Sequence, residues 1–89
     1  MSLAQIETFV AIAETGAISR AAIRLAISQP PLTRQLRSLE HELGVPLFER
    51  GPKGMMLLPA GERFMIHAQR ILQELDHARQ SVSGARPTP

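Results

Sequence analysis

The chain is 89 residues long, one small domain, with a formal charge of +2, an apolar fraction of 44% and no Cys, which excludes disulfide scaffolds and thiolate metal sites. No apolar run approaches the ~18 residues of a membrane span, and no basic segment leads into a signal-type stretch, so the expectation is a soluble, cytoplasmic polypeptide. Its aromatics are three Phe residues without Tyr or Trp, which argues against stacking platforms for single-stranded nucleic acid.

Residues 3–15 carry the first helical pattern, with Leu3, Ile6, Phe9, Val10 and Ala13 on one face. Ser2 is placed to cap it and Gly16 to stop it. Ser19 is the expected cap of a second, short helix, RAAIRL, in which Ala21, Ala22 and Leu25 face inward. Ala26-Ile27-Ser28 leaves a tight connection to a third helix, for which Ser28 is the expected N-cap. Pro30 and Pro31 fit its first turn, where amide hydrogens lack partners anyway. A short helix, a turn of about three residues and a longer helix make a helix-turn-helix, in which small Ala21 and Ala22 allow close approach; a generic helical hairpin is the plainer alternative.

The third helix lies in SQPPLTRQLRSLEHELGVPLFER. Leu32, Leu36, Leu39 and Leu43 recur at four, three and four residues, one apolar stripe that Gly44 ends. Pro30, Arg34, Arg37 and His41 fall on the opposite face, with Thr33 on its flank. Arg34 has no acid three or four places away, and Arg37 repeats its charge at i+3, which costs a few tenths of a kcal/mol. The acids Glu40 and Glu42 lie toward the C-terminal end, where the helix dipole disfavours them. An outward cationic patch arranged against the helix's own stability suggests a polyanion, with DNA the first candidate. Arg37 and Glu40 as an ordinary i,i+3 pair on a solvated face is the alternative. Nine of the ten basic residues are Arg, whose planar guanidinium suits phosphate and guanine edges.

In VPLFERGPKGMMLLP, residues 47–50 and 55–58 are short apolar runs separated by GPKG, strong turn chemistry. They predict a two-stranded hairpin with Arg50 at its base and Lys53 at its tip, a wing; a plain loop with solvated charges is the alternative. GPKG lacks the spacing and ending of a phosphate loop. Residues 59–83 form the longest helical pattern. Phe64, Ala68, Ile71, Leu75, Ala78 and Val82 alternate steps of four and three, while Met65 and Leu72 add a stripe about 100° away. A small domain buries one such stripe, so the surplus implies a second copy of the helix; a helix folded wholly onto its own body is the alternative. The tail SGARPTP is expected to open a linker. The domain expectations are therefore 1–58, 59–83 and 84–89.

With F9, AETGAISRAA, SQPPLTRQLRSLEHELGVPLFER, GPKG and LLPAGERF in order from about residue 3 to the mid-eighties, the chain resembles the N-terminal DNA-binding domain of LysR-type transcriptional regulators, a large bacterial family. The resemblance implies a mainly α winged helix-turn-helix, three helices plus a short β-hairpin, followed by a long linker helix that pairs antiparallel in a dimer. It implies the third helix in the major groove and the wing near the minor groove. Carried over by position, Gln29, Pro30, Pro31, Thr33 and Arg34 approach base edges and adjacent phosphates, Arg50 and Lys53 serve the wing, and Phe64, Ala68, Ile71, Leu72, Leu75 and Ala78 serve the dimer. The family's inducer-binding region is absent from these residues. Three departures stand out: Thr33 where the family often has Ser, Ala17-Ile18 for a common Ser-Phe pair, and Leu58 where a Thr usually precedes Pro-Ala-Gly. The last removes a side-chain cap worth about 1 kcal/mol.

The leading expectation is sequence-specific binding of promoter DNA, in the bacterial nucleoid, as a dimer reading an inverted repeat. Arg34 would donate bidentately to a guanine, Gln29 pair with an adenine edge and Thr33 meet a thymine methyl. Arg37, Arg50, Lys53 and Arg20 would position the backbone. The winged-helix domain of molybdate-responsive regulators and a dimerisation or docking module without DNA readout are the alternatives. An enzyme is disfavoured: His41, His67 and His77 have no partners at metal-ligand spacing, and no nucleophile elbow, carboxylate pair or nucleotide-binding glycines appear. No cofactor or metal is expected.

Overall fold

A computed structural model of the chain describes residues 1–83; the linker expected at 84–89 lies outside the described residues. In chain order it comprises α1 (Leu3–Thr15), α2 (Ile18–Leu25), α3 (Gln29–Leu43), β1 (Phe48–Gly51), β2 (Gly54–Leu57) and α4 (Pro59–Val82).

The first helix starts on a reciprocal capping box. The Ser2 hydroxyl accepts from the Gln5 amide at 3.1 Å, and the Gln5 side chain accepts from the Ser2 amide at 2.9 Å. Gly16 ends it in the left-handed region at φ 79°. The stripe expected on this helix is incomplete, because Leu3 is 45% exposed while Thr8, Ala11 and Ile12 join Ile6, Phe9 and Val10 in the core. The reason is tertiary: α2, α3, α4 and β2 all pack on α1, so its C-terminal half is covered nearly all round. Phe9 sits at the centre, with ring centroids 5.3 Å from Phe48 and 5.0 Å from Phe64, which ties the hairpin and α4 to α1.

The second helix begins earlier than expected. Ala17, extended at φ −156°, occupies the cap position without a side-chain bond, and Ser19 lies within the first turn rather than capping it. Ala21 and Ala22 are buried and let α2 approach α1 and α3. The turn to α3 is closed by Ala26 in the left-handed region, φ 59°, with the Ile27 amide donating back to the Ala22 carbonyl at 3.1 Å. This is a Schellman-type ending built on alanine where glycine is usual.

Ser28 takes the N-cap position of α3, yet its hydroxyl accepts no capping bond. The positions that would donate, N2 and N3, are Pro30 and Pro31, which have no amide hydrogen. Leu32, Leu36 and Leu39 are buried, as their spacing predicts, and Gly44 (φ 77°) ends the helix.

Strands β1 and β2 pair antiparallel, Phe48 with Leu57, Arg50 with Met55 and Gly51 with Gly54. Arg50 therefore stands one pair from the Pro52-Lys53 turn rather than at the base of the hairpin, where Phe48 is buried instead. One backbone bond fastens the hairpin to the body and another closes its base. The Met55 amide donates to the Gly16 carbonyl at 2.9 Å, and the Leu58 amide to the Leu47 carbonyl at 2.9 Å. Three packed helices with such a hairpin form a winged helix-turn-helix.

The long helix enters close beneath the hairpin, where a Cβ on Gly61 would lie 2.2 Å from the Leu47 carbonyl oxygen. Leu58 caps it without a side-chain bond, consistent with the missing hydroxyl. The two apolar stripes divide along its length rather than around its circumference. Phe64, Met65, Ala68 and Leu72, drawn from both stripes, pack on the protomer's core. Ala68 is wholly buried there and Phe64 meets Phe9 edge-on, so Ala68, expected at the dimer seam, offers no surface to a second chain. From Ile71 onward the apolar positions other than Leu72 lose most of their cover: Ile71 and Ala78 are exposed, Leu75 is half-buried and Val82 is 83% exposed. No described helix is long and apolar enough to cross a membrane.

Candidate nucleic-acid interface

The leucine stripe turns one face of α3 into the core and leaves Pro30, Arg34, Arg37 and His41 on the opposite, exposed face. Gln29 is exposed at its first position; Pro31 and Thr33 are half-buried on its flanks. The ion pairs among the described residues join the Met1 amine to Glu42, Arg24 to Glu14 and His77 to Glu74. Arg34 and Arg37 take part in none. The i,i+3 pairing of Arg37 with Glu40 does not form: the Glu40 carboxylate accepts from the Leu47 backbone amide at 2.7 Å instead, bracing the loop into the wing. Two guanidinium groups are thus left side by side on a surface with no acid to offset their mutual repulsion of a few tenths of a kcal/mol.

The arginines of α2 are arranged differently. Arg20 donates from Nε at 3.0 Å and Nη2 at 2.8 Å to the Thr15 carbonyl. It satisfies an orphan carbonyl at the end of α1, a common employment for a cation beside a helix C-terminus. That edge of the guanidinium is engaged within the protein, and Nη1 is the nitrogen outside this bond. Arg24 is paired to Glu14 at 2.6 Å. On the wing, Arg50 and Lys53 are exposed and unpaired among the described residues. Within residues 1–58, the cations without a protein partner therefore lie on the outer face of α3 and on the hairpin; α4 carries Arg63, Arg70 and Arg79, also exposed and in none of these ion pairs.

The flank of α3 that faces α1 escaped the sequence reasoning. Thr8 donates its hydroxyl to the Gln35 side-chain oxygen, and Gln5 donates to the Ser38 hydroxyl at 3.2 Å. The signal was available, since Gln35, Ser38 and Glu42 recur at three and four residues and so share a polar stripe beside the leucines. Glu40 was legible only as an acid, because its partner is the backbone of a loop.

Comparison with known proteins gives one consistent result. The family model described as "Bacterial regulatory helix-turn-helix protein, lysR family" matches residues 3–62. The HTH-type transcriptional regulator TfdS of Cupriavidus pinatubonensis is 47% identical over 88 residues, 94% of this chain and 30% of that protein. ClcR of Pseudomonas putida, another HTH-type transcriptional regulator, is 48% identical over 79 residues, 89% of this chain and 27% of its own length. The chain thus spans about a third of the curated relatives it matches. Among solved structures, a CbnR DBD–DNA complex superposes with TM-score 0.86 at 44% identity, covering 97% of this chain and all of that one. A BenM DBD/benA site 1 DNA complex superposes with TM-score 0.88 at 37% identity, covering 93% of each chain.

Proposed function

Because the chain belongs to the lysR family of bacterial regulatory helix-turn-helix proteins, we propose that it is the amino-terminal module of a transcriptional regulator, which binds double-stranded DNA sequence-specifically as a homodimer. The outer face of α3 enters the major groove. Arg34 donates bidentately to a guanine, Gln29 pairs with an adenine edge, and Thr33 meets a thymine methyl beside Pro30 and Pro31. Arg37, Arg50 and Lys53 contact phosphates and set the salt dependence. The observation that carries this is the unpaired state of Arg34 and Arg37 on an exposed helix face, while Glu40, the one acid spaced to neutralise Arg37, is spent on the Leu47 amide. The relatives with solved DNA complexes share this fold at 37–44% identity.

The dimer is proposed through the outer half of α4. Ile71, Leu75, Ala78 and Val82 fall within about 60° of the helix circumference, an apolar strip suited to the same strip of a second copy, with Leu72 at its inner margin. The DNA-binding body then includes the first turns of α4 as well as residues 1–58. Response to an effector belongs to the remainder of a protein about three times this length, and the module's own role is binding, without a catalytic step.

The test is selection of bound sites from random duplexes, followed by titration of Arg34→Ala. A loss of about 1–3 kcal/mol concentrated at one base pair is expected. A uniform loss across sequences would reduce Arg34 to a phosphate contact. Equal competition by scrambled duplex, or affinity that does not fall between two ionic strengths, would leave a dimerisation or docking module in its place.

A further inference from the structure

We propose that Gln35 and Ser38 donate to a DNA backbone phosphate on the α1 side of α3, and that Thr8 and Gln5 are the positioning residues that aim them. This rests on the DNA-binding role above and adds a contact to it.

The groove concerned lies between the start of α1 and the flank of α3. It is lined by Ser2, Gln5, Pro31, Arg34, Gln35 and Ser38 and holds about 300 Å³. One cation and no acid line it, so its field favours an anion. The two side chains in its wall are fixed by bonds that leave donors over. Gln35 receives the Thr8 hydroxyl on its oxygen, which sets the orientation of the amide. Its Nε2 has no partner among the described residues, yet the half-buried residue shows no sealed, unsatisfied atom, so the NH₂ group opens to solvent. Gln5 has both ends of its amide engaged: the oxygen takes the Ser2 amide at 2.9 Å, and the nitrogen donates to the Ser38 oxygen at 3.2 Å. The Ser38 hydroxyl hydrogen is therefore the group left to donate outward.

The direction of these donors decides what they meet. An α-helix with its side chains is about 10–12 Å across, and the major groove about 12 Å wide. A helix seated there presents its outermost residues to base edges and its flanks to the phosphate walls. Gln35 lies about 100° around α3 from Arg34, and Ser38 about 40°; both turn toward the same flank, away from Thr33. Donors already held in place lose little freedom on binding, which is why Thr8, itself buried, matters to an affinity it never touches.

The experiment uses the 89-residue chain and a duplex recovered by selection, with single phosphates replaced in turn by neutral methylphosphonate. Gln35→Met and Ser38→Ala are each expected to weaken binding about 3- to 10-fold on the unmodified duplex, and to lose that effect on the duplex modified at one shared position. Thr8→Val should reproduce the Gln35→Met loss, Thr8→Ser should restore binding, and the double variant Thr8→Val/Gln35→Met should be no weaker than Gln35→Met alone. Wild-type affinity in both Gln35→Met and Ser38→Ala, or a loss that persists unchanged at every modified position, overturns the proposal while leaving DNA binding intact. A wild-type chain with no salt-dependent affinity for any duplex removes both together.

Discussion

Substituting Gly54 by Ala should detach the wing. Gly54 has φ +114°, and an added Cβ would stand 2.4 Å from the Gly16 carbonyl oxygen. Carbon and oxygen settle no closer than about 3.3 Å, so the hairpin must withdraw by roughly 1 Å. The Met55 amide donates to that same carbonyl at 2.9 Å, and the withdrawal stretches this bond to about 3.9 Å, past any useful geometry. Its loss costs about 0.5–1.5 kcal/mol, and a non-glycine residue held at such a φ about 1–3 kcal/mol. The sum is about 2–4 kcal/mol, which should lower the midpoint of thermal unfolding by about 10 °C or more in a domain of this size. Two other glycines supply the controls. Gly44 has φ +77° with nothing within 4 Å of an added Cβ, and Gly51 has neither a positive φ nor a neighbour. Gly44→Ala should therefore cost about 1 kcal/mol from backbone strain alone, and Gly51→Ala within about 0.5 kcal/mol of nothing. Denaturant titrations of the three variants measure the differences directly. If Gly54→Ala proves no more damaging than Gly44→Ala, the close approach of wing and Gly16 does not hold the hairpin.

The remaining predictions concern the turn, the brace and the protruding helix. Ala26→Gly relieves the left-handed alanine at φ 59° and should stabilise the chain by about 1 kcal/mol, read as a raised unfolding midpoint with affinity for DNA unchanged. Glu40→Ala removes the acceptor of the Leu47 amide and should cost about 1–2 kcal/mol; Glu40→Gln, which keeps an acceptor, should recover part of it in the same melt. Leu75→Arg places a charge in the proposed dimer strip while changing little in the protomer's core, so light scattering should report monomers with a near-native melt. A Leu75→Arg variant that stays dimeric would move the interface elsewhere.

What the sequence made legible follows the range of each interaction. The leucine stripe of α3, the stops at Gly16 and Gly44 and a hairpin turning within GPKG are all local, set by a period or by one backbone angle, and each appears where its pattern puts it. Gly51 and Gly54 nevertheless join the strands and leave Pro52-Lys53 as the turn. The pattern was silent or misleading where packing or a backbone partner decided the outcome. A hydroxyl before the helical pattern makes Ser19 the expected cap, but the helix starts one residue earlier, at Ile18, which packs against the core. The bond from Arg20 to the Thr15 carbonyl at the end of α1 follows from no charge pattern, because its acceptor is backbone. The burial of Thr8, Ala11 and Ile12 depends on four elements meeting at α1, which no periodicity of α1 records. Of the interface, the outward set on α3 was readable from the wheel, whereas the polar flank at Gln35 and Ser38 needed the position of α1 to acquire a meaning.

The same tertiary arrangement links the two proposed interfaces mechanically. Between residues 62 and 82 α4 contains no Gly and no Pro, so it lacks the usual sites of a kink. Its inner half is locked into the core through Ala68 and Leu72, and the outer half, from Leu72 to Val82, extends about 15 Å further along the axis. A second copy gripping Ile71, Leu75 and Val82 would therefore fix the orientation of the whole body, not merely tether it. From Ala68 the path to α3 is short and rigid: α4 packs on α1, and α1 holds α3 by the Thr8–Gln35 and Gln5–Ser38 hydrogen bonds as well as by leucines. Directional bonds resist a sliding of α3 along α1 that apolar contact alone would tolerate. In the proposed dimer the spacing of two half-sites would follow from the geometry of α4, and any rotation imposed on that helix would reach the outward arginines of α3 with little loss.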